Sequence, residues 1–247
     1  MNKQQSPKFE TNPFLIGING ISRVFKVNTN SALFIIVISI AFSVLSQIIA
    51  AVFSDQSTAN ALLLNIGISG ISALISLIAI TIVLSTQHNK EMSISEAFST
   101  SLERFLPYLG YSIVYSLLVV FGFILLIVPG ILATIWFSLV IYVKFDEGGK
   151  LQDVFKRSRE LVRGRAMEYF GVAIVGFIFS VFGLIGPIMI AAVTGEWYQQ
   201  LKIARDGHHE LPPVSKINHL LFFGLIALMI LFIGLITLLI YAATHVS

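Results

Sequence analysis

Cysteine is missing from this sequence altogether, which excludes a disulfide framework, a thiolate metal site and a cysteine nucleophile. Charge is scarce as well. Asp, Glu, Lys and Arg make up 12% of the 247 residues, about half the ~25% usual in a soluble domain. Where charge is missing matters more than how little there is. None occurs in the 28 residues between Lys26 and Asp55, the 34 between Asp55 and Lys90, the 39 between Arg104 and Lys144, the 27 between Glu168 and Glu196, or the 31 after Lys216. A helix needs ~20 mainly apolar residues to cross ~30 Å of hydrocarbon. With a mean hydropathy of +0.87, five such stretches have no good soluble explanation, and the chain reads as an integral membrane protein.

Alternating polarity is also lacking. Lipid offers the backbone no hydrogen-bond partner, so spans are helices or a closed barrel, and a barrel shows ~10-residue segments of alternating polarity. FGFILLI at 121–127 and the run at 220–240 are apolar on every side. The expected fold class is therefore all-α, a polytopic transmembrane helical bundle. The opening residues, led by Asn2, Lys3, Gln4 and Gln5, lack the apolar core and cleavage site of a signal peptide, so the first span is expected to direct insertion. A net charge of +3 and a pI near 9.2 raise the question of nucleic acid. No basic, aromatic-interleaved face accompanies them, and in a membrane protein excess Lys and Arg mainly report orientation.

The spans follow from the gaps between charges. Residues 1–30 form a polar N-terminal segment with an amphipathic interfacial helix, on which Phe14, Ile18, Ile21 and Phe25 make an apolar stripe opened by Pro13. Spans are expected at about 31–53 and 59–85, with SDQST at 54–58 as the turn. The 39-residue stretch would be ~58 Å long as one helix. Pro129-Gly130 inside it is expected to end one arm and start another, giving spans at 106–128 and 131–143. The stretch from 169 has two readings: one long tilted span, or a hairpin turning at 183–187 with spans at 169–185 and 187–201. The hairpin is favoured, because it brings all 16 Lys and Arg to one side of the membrane. Residues 31–205 are then a six-helix, hairpin-built module, 206–219 a cytoplasmic loop, and 220–241 a seventh span. The N-terminus lies in the cytoplasm and the C-terminus outside.

Elbow helices are expected before the outgoing arms. In 151–162, Leu151, Val154, Phe155, Leu161 and Val162 share one face with Ser158, while Asp153, Lys156, Arg157, Arg159 and Glu160 fill the other. In 93–105 the face is Ala97, Phe98, Ser101, Leu102 and Phe105, with Ser93 and Glu96 at capping-box spacing. The two align at an offset of 57 residues, with Ile94, Glu96, Phe98 and Ser101 against Leu151, Asp153, Phe155 and Ser158. That pattern suggests an internal repeat of an elbow and a transmembrane hairpin.

ILLIVPG at 124–130, an apolar return helix, Asp146-Glu147, then Val154-Phe155 and SRELVRG at 158–164 form a recurring pattern. It resembles the membrane domain of glycerophosphoryl diester phosphodiesterase and related uncharacterised bacterial inner-membrane families. Ser158, Leu161 and Gly164 keep the family's places, whereas Val154 and Phe155 replace its usual alanine and leucine. Tyr198 matches a tyrosine typical near the end of its sixth span. The likeness covers roughly residues 10–205, and the last span looks like an addition. It implies a six-helix module in a bacterial cytoplasmic membrane, without the enzyme's catalytic domain, for which no polar stretch here is long enough.

Candidate chemistry is sparse. Intramembrane catalysis needs convergent polar groups, and the five histidines all fall in loops or span ends. His208, His209 and Glu210 lack further evident ligands and read as a solvated loop, not a metal site. Glu196 is the one ionisable group close to a span, followed by Trp197 and Tyr198 as in an interfacial belt. It is either a span-end carboxylate or a buried group lining a cavity. Asn65, Ser69 and Ser72 in the second span either line a pathway or serve helix packing. Pro129 and Gly130 read as turn residues, and Ser158, Gly164 and Tyr198 carry the family likeness. Neither a cofactor nor catalysis is expected. The expected partners are the lipid bilayer and other membrane proteins, with transport of a small or lipid-like solute as the alternative.

Overall fold

The computed structural model describes residues 9–53, 58–183 and 186–245. Among these, every regular element is a helix: α1 (Pro13–Val27), α2 (Thr29–Val52), α3 (Thr58–Gln87), α4 (Ile94–Leu125), α5 (Ile127–Trp136), α6 (Val140–Asp146), α7 (Leu151–Val162), α8 (Ala166–Gly183), α9 (Gly186–Asp206) and α10 (Lys216–His245). Helix starts obey local chemistry. The Asn12 side chain accepts from Phe14 N at 3.0 Å with Pro13 in the first turn, and Ser93 Oγ accepts from Glu96 N at 3.2 Å. Each satisfies one of the donors a helix start leaves over.

Five segments are long and apolar enough to cross a membrane: Thr29–Val52, Asn60–Gln87, Ile94–Leu125, Ile127–Asp146 and Lys216–Leu238. Such helices are compatible with a multi-pass membrane protein. α8 adds a shorter apolar helix, Ala166–Ser180, and folds back along α9. Trp197 Nε1 donates to Glu168 Oε2 at 3.2 Å, and a Cβ on Gly176 would stand 3.9 Å from Ile190 Cα. As α8 advances, its neighbours on α9 retreat, so the pair is antiparallel. Leu184 and Ile185 of the expected turn lie outside the described residues, as do residues 54–57 of the first turn.

Three expectations need correction. The segment 93–105 is no separate elbow, because α4 runs unbroken from Ile94 through Pro107 to Leu125. The hairpin expected to turn at Pro129-Gly130 turns at Leu126, whose backbone is extended (φ −171°, ψ 158°). Pro129 is the third residue of α5, where a missing N–H costs nothing because no carbonyl would receive it. Gly130 acts through its size, since a Cβ there would sit 2.4 Å from the Phe123 ring, and one on Gly122 2.9 Å from Gly130 Cα. These two glycines let the arms cross in contact. Finally, the return arm 131–143 is not one helix. It breaks after Trp136 and resumes at Val140.

The core is gathered at one end. Trp197, Tyr198, Leu139, Val140, Leu161 and Ile16 are at most 1% exposed and pack as one cluster. A second cluster joins α1, α2, α3 and α9 through Val24, Ala32, Ile82 and Ala192. Away from that end the apolar helices face outward: none of the α10 span window is buried, and Leu125 at the α4 tip is 73% exposed. Such surface is costly in water and natural in lipid.

Candidate functional site

The polar groups converge where the core does. α6 ends on Asp146 with Glu147 next, and across from them α9 presents Tyr198, Lys202 and Asp206, spaced four apart on one helix face. Asp146 Oδ2 accepts from the Tyr198 hydroxyl at 2.7 Å and from Lys202 Nζ at 2.6 Å, while Oδ1 meets His88 Nε2 at 2.7 Å. Glu147 Oε1 stands 2.9 Å from the same Tyr198 hydroxyl. Arg157 of α7 donates from Nε to Glu147 Oε2 at 2.9 Å and from Nη2 to Asp206 Oδ1 at 2.5 Å. Burial works against the Arg157 charge, but its bonds to Asp206 and Glu147 outweigh it and raise the guanidinium above its ordinary value. The lattice ties α3, α6, α7 and α9 together. Each carboxylate faces a cation or a hydroxyl, which is how ionised groups survive near a core.

Glu196 belongs to a neighbouring group. Buried at 5% exposure, it pairs with Arg23 of α1 at 3.2 Å and accepts from Gln200 Nε2 at 3.3 Å. It lines a polar cavity of about 400 Å³ between α1 and α9. Glu196 is thus both buried and on the wall of a cavity. About a quarter-turn round α9, Trp197 reaches Glu168, which pairs with Arg165 at 2.7 Å. Arg165 also donates to Pro212 O at 2.7 Å, fastening the segment before α10.

The residues singled out from sequence sit as follows. The Ser158 hydroxyl, fully buried, donates to Trp136 O at 2.8 Å, supplying a partner to a carbonyl left over where α5 breaks. Arg159 stacks over the Trp136 ring at 4.2 Å. Gly164 adopts φ +77° just past the end of α7, a left-handed position that glycine occupies without strain. Tyr198 is the hub of the lattice. Pro129 and Gly130 lie at the opposite, uncharged tip, in α5. Asn65 is remote from all of these: it is exposed on α3 and donates to its own helix at Ala61 O, 2.8 Å away. His209 packs against Phe9 with centroids 6.0 Å apart.

Sequence reasoning passes over Asp146, Lys202, Arg157, His88 and Glu168 as a set. Asp146 and Arg157 are singled out only as parts of the family pattern and of a polar face, and the signals that group any of these residues are the four-residue spacing of Tyr198, Lys202 and Asp206 and the i, i+3 pair Arg165 and Glu168. It also passes over Asn28, which bridges two loops by donating to Thr86 Oγ1 at 2.8 Å and accepting from Met92 N at 2.7 Å. No protein-family pattern, curated protein or solved structure matches this chain.

Proposed function

We propose that the chain is a non-catalytic membrane module that assembles with, or supports, other components of a bacterial cell envelope. In this reading seven helical crossings, the α8/α9 hairpin among them, place every basic side chain and the N-terminus on the cytoplasmic side of the inner membrane, with the C-terminus outside. The sequence likeness to the phosphodiesterase membrane domain points the same way. One observation carries the reading: the ionisable groups around Tyr198 are consumed by one another. Asp146, Glu147, Arg157, Lys202 and Asp206 form a closed lattice, and a catalytic or transport centre would instead hold such a group poised for substrate.

What is left for partners is the outward apolar surface. At the charged end α4 exposes Phe98 (48%), Leu102 (56%) and Leu106 (78%), spaced four apart on one face. Photo-crosslinkers at these positions in native membranes are expected to trap a defined membrane protein, and crosslinkers at Leu228 of α10 mainly lipid. Lipid alone at both sites sinks the proposal.

Transport is the second reading, favoured by one feature. Ser39, Ser43 and Ser46 of α2, Ser72 and Ser76 of α3, and Ser180 of α8 line a groove of about 380 Å³. Ser72 and Ser76 nevertheless donate to Ile68 O and Ser72 O of their own helix, each at 3.0 Å, which spends their hydroxyl protons on packing geometry. If proteoliposomes carry a solute flux that Ser72→Leu abolishes, transport displaces the scaffold reading.

A further inference from the structure

α1 carries a polar stripe, and α9 a matching one that ends in an isoleucine. On α1, Asn19, Ser22, Arg23 and Lys26 stand at i, i+3, i+4 and i+7, and on α9 Glu196, Gln199, Gln200 and Ile203 repeat that spacing, which places each set on one helix face. The two stripes enclose the cavity of about 400 Å³ described above. Its floor is rigid, because a Cβ on Gly20 would fall 2.4 Å from Ala192 O, so the backbones of α1 and α9 rest directly on each other.

Charge in the cavity is unevenly used. Glu196 is engaged by Arg23 and Gln200. Glu10, at the rim, accepts through Oε1 from Thr11 N at 3.0 Å and Asn12 N at 2.9 Å. Lys26 forms no hydrogen bond or ion pair with any described residue, and neither do the side chains of Asn19, Ser22 and Gln199. The Arg23 side chain keeps 42% of its surface open. The cavity thus offers a free ammonium, an open guanidinium edge and neutral donors, a set suited to phosphate oxygens. Beside it the exposed surface turns apolar, with Leu15 and Ile18 one turn back on α1 and Ile203 on α9 at 43%, 53% and 42% exposure. A free phosphate compound gains nothing from these side chains. A lipid does.

We propose that this cavity binds the headgroup of an anionic phospholipid, its phosphate between Lys26 and Arg23 and its glycerol and first methylenes over Leu15 and Ile18. The inference rests on the membrane reading of the chain. It fits the position of α1 beside the charged ends of the apolar helices, where headgroups lie and basic side chains attract anionic lipid.

The test uses the full-length protein, delipidated in detergent and titrated with phosphatidylglycerol under native mass spectrometry. A chain that dissolves without detergent fails the membrane reading before this titration begins. Lys26→Gln, an exposed change with no partner among the described residues to lose, is expected to weaken phosphatidylglycerol binding about five-fold. Lys216→Gln, at the same end but outside the cavity, is expected to leave it unchanged. Phosphatidylcholine is expected to bind more weakly, and glycerol 3-phosphate at equal concentration to displace no lipid. Wild-type affinity in Lys26→Gln overturns the proposal, as does an equal loss in Lys216→Gln, which would mark diffuse attraction. Displacement by glycerol 3-phosphate would reassign the cavity to a free phosphate compound.

Discussion

The two amphipathic segments that align 57 residues apart share a register and end differently. Ser101 and Ser158 occupy the same place in each, both fully buried: one donates to Thr81 Oγ1 at 3.1 Å and the other to Trp136 O at 2.8 Å. Six residues further on, the first has Pro107 and the second Gly164. At Gly164 the chain enters the left-handed region, Arg165 N bonds back to Val162 O at 2.9 Å, and a new helix starts. At Pro107 the helix continues, short of one backbone donor, and elbow and span become one rod. A proline can be carried inside a helix within a membrane protein, but it cannot make the left-handed corner that glycine makes freely. The ion pairing differs too. α7 is held by Arg157 between Glu147 and Asp206, whereas the ion pair at the start of α4 is the exposed Lys90–Glu96. One elbow is clamped to the charged end, and the other presents Phe98, Leu102 and Leu106 outward.

That contrast can be broken by substitution, with thermal unfolding in one detergent as the common measure. The largest effect is expected for Asp146→Ala, which strips the partner from Lys202 and one of two acceptors from the Tyr198 hydroxyl and loosens the approach to α7, at about 3 kcal/mol. Glu96→Ala at the other elbow should stay within about 0.5 kcal/mol. Next, Ser158→Ala leaves the Trp136 carbonyl without its donor and should cost about 2 kcal/mol. Ser101→Ala should cost under about 1 kcal/mol, because Thr81 keeps its bond to Leu77 O. Gly164→Ala strains a left-handed corner and should cost about 1–2 kcal/mol. Pro107→Ala restores a backbone donor inside α4 and should raise stability instead. Smallest is Lys90→Ala, at about 0.3 kcal/mol. If the two serines lose stability equally, or if both Pro107→Ala and Gly164→Ala destabilise, the elbows are alike and the comparison fails.

Much of the architecture is legible in the sequence because a membrane punishes charge. The gaps between charges locate α2, α3 and α10 to within a few residues, and the polar segments between them hold the ionisable groups that pair in the structure, Arg157 with Glu147 and Lys202 with Asp146. The two breaks that fall elsewhere than expected share a cause. Pro129-Gly130 reads as a turn, yet Pro129 is carried in the first turn of α5, and Pro107 lies within α4, because only the N–H and its steric surroundings decide whether a helix stops. The Leu126 turn has no local mark at all. It is set by the close crossing at Gly122 and Gly130, a tertiary fact. For the same reason the lattice can be seen only in pieces: Tyr198, Lys202 and Asp206 show their shared face, but nothing local says that Asp146, Glu147 and Arg157 stand opposite.

Labelling single cysteines with a membrane-impermeant maleimide probes most directly whether the basic residues share one surface, and the native chain has no cysteine to confuse it. In intact cells Leu126→Cys is predicted to react while Lys90→Cys, Lys150→Cys and Arg205→Cys stay silent, and in inverted vesicles the pattern is predicted to reverse. Reaction of Lys90→Cys and Arg205→Cys from opposite surfaces would contradict the arrangement outright.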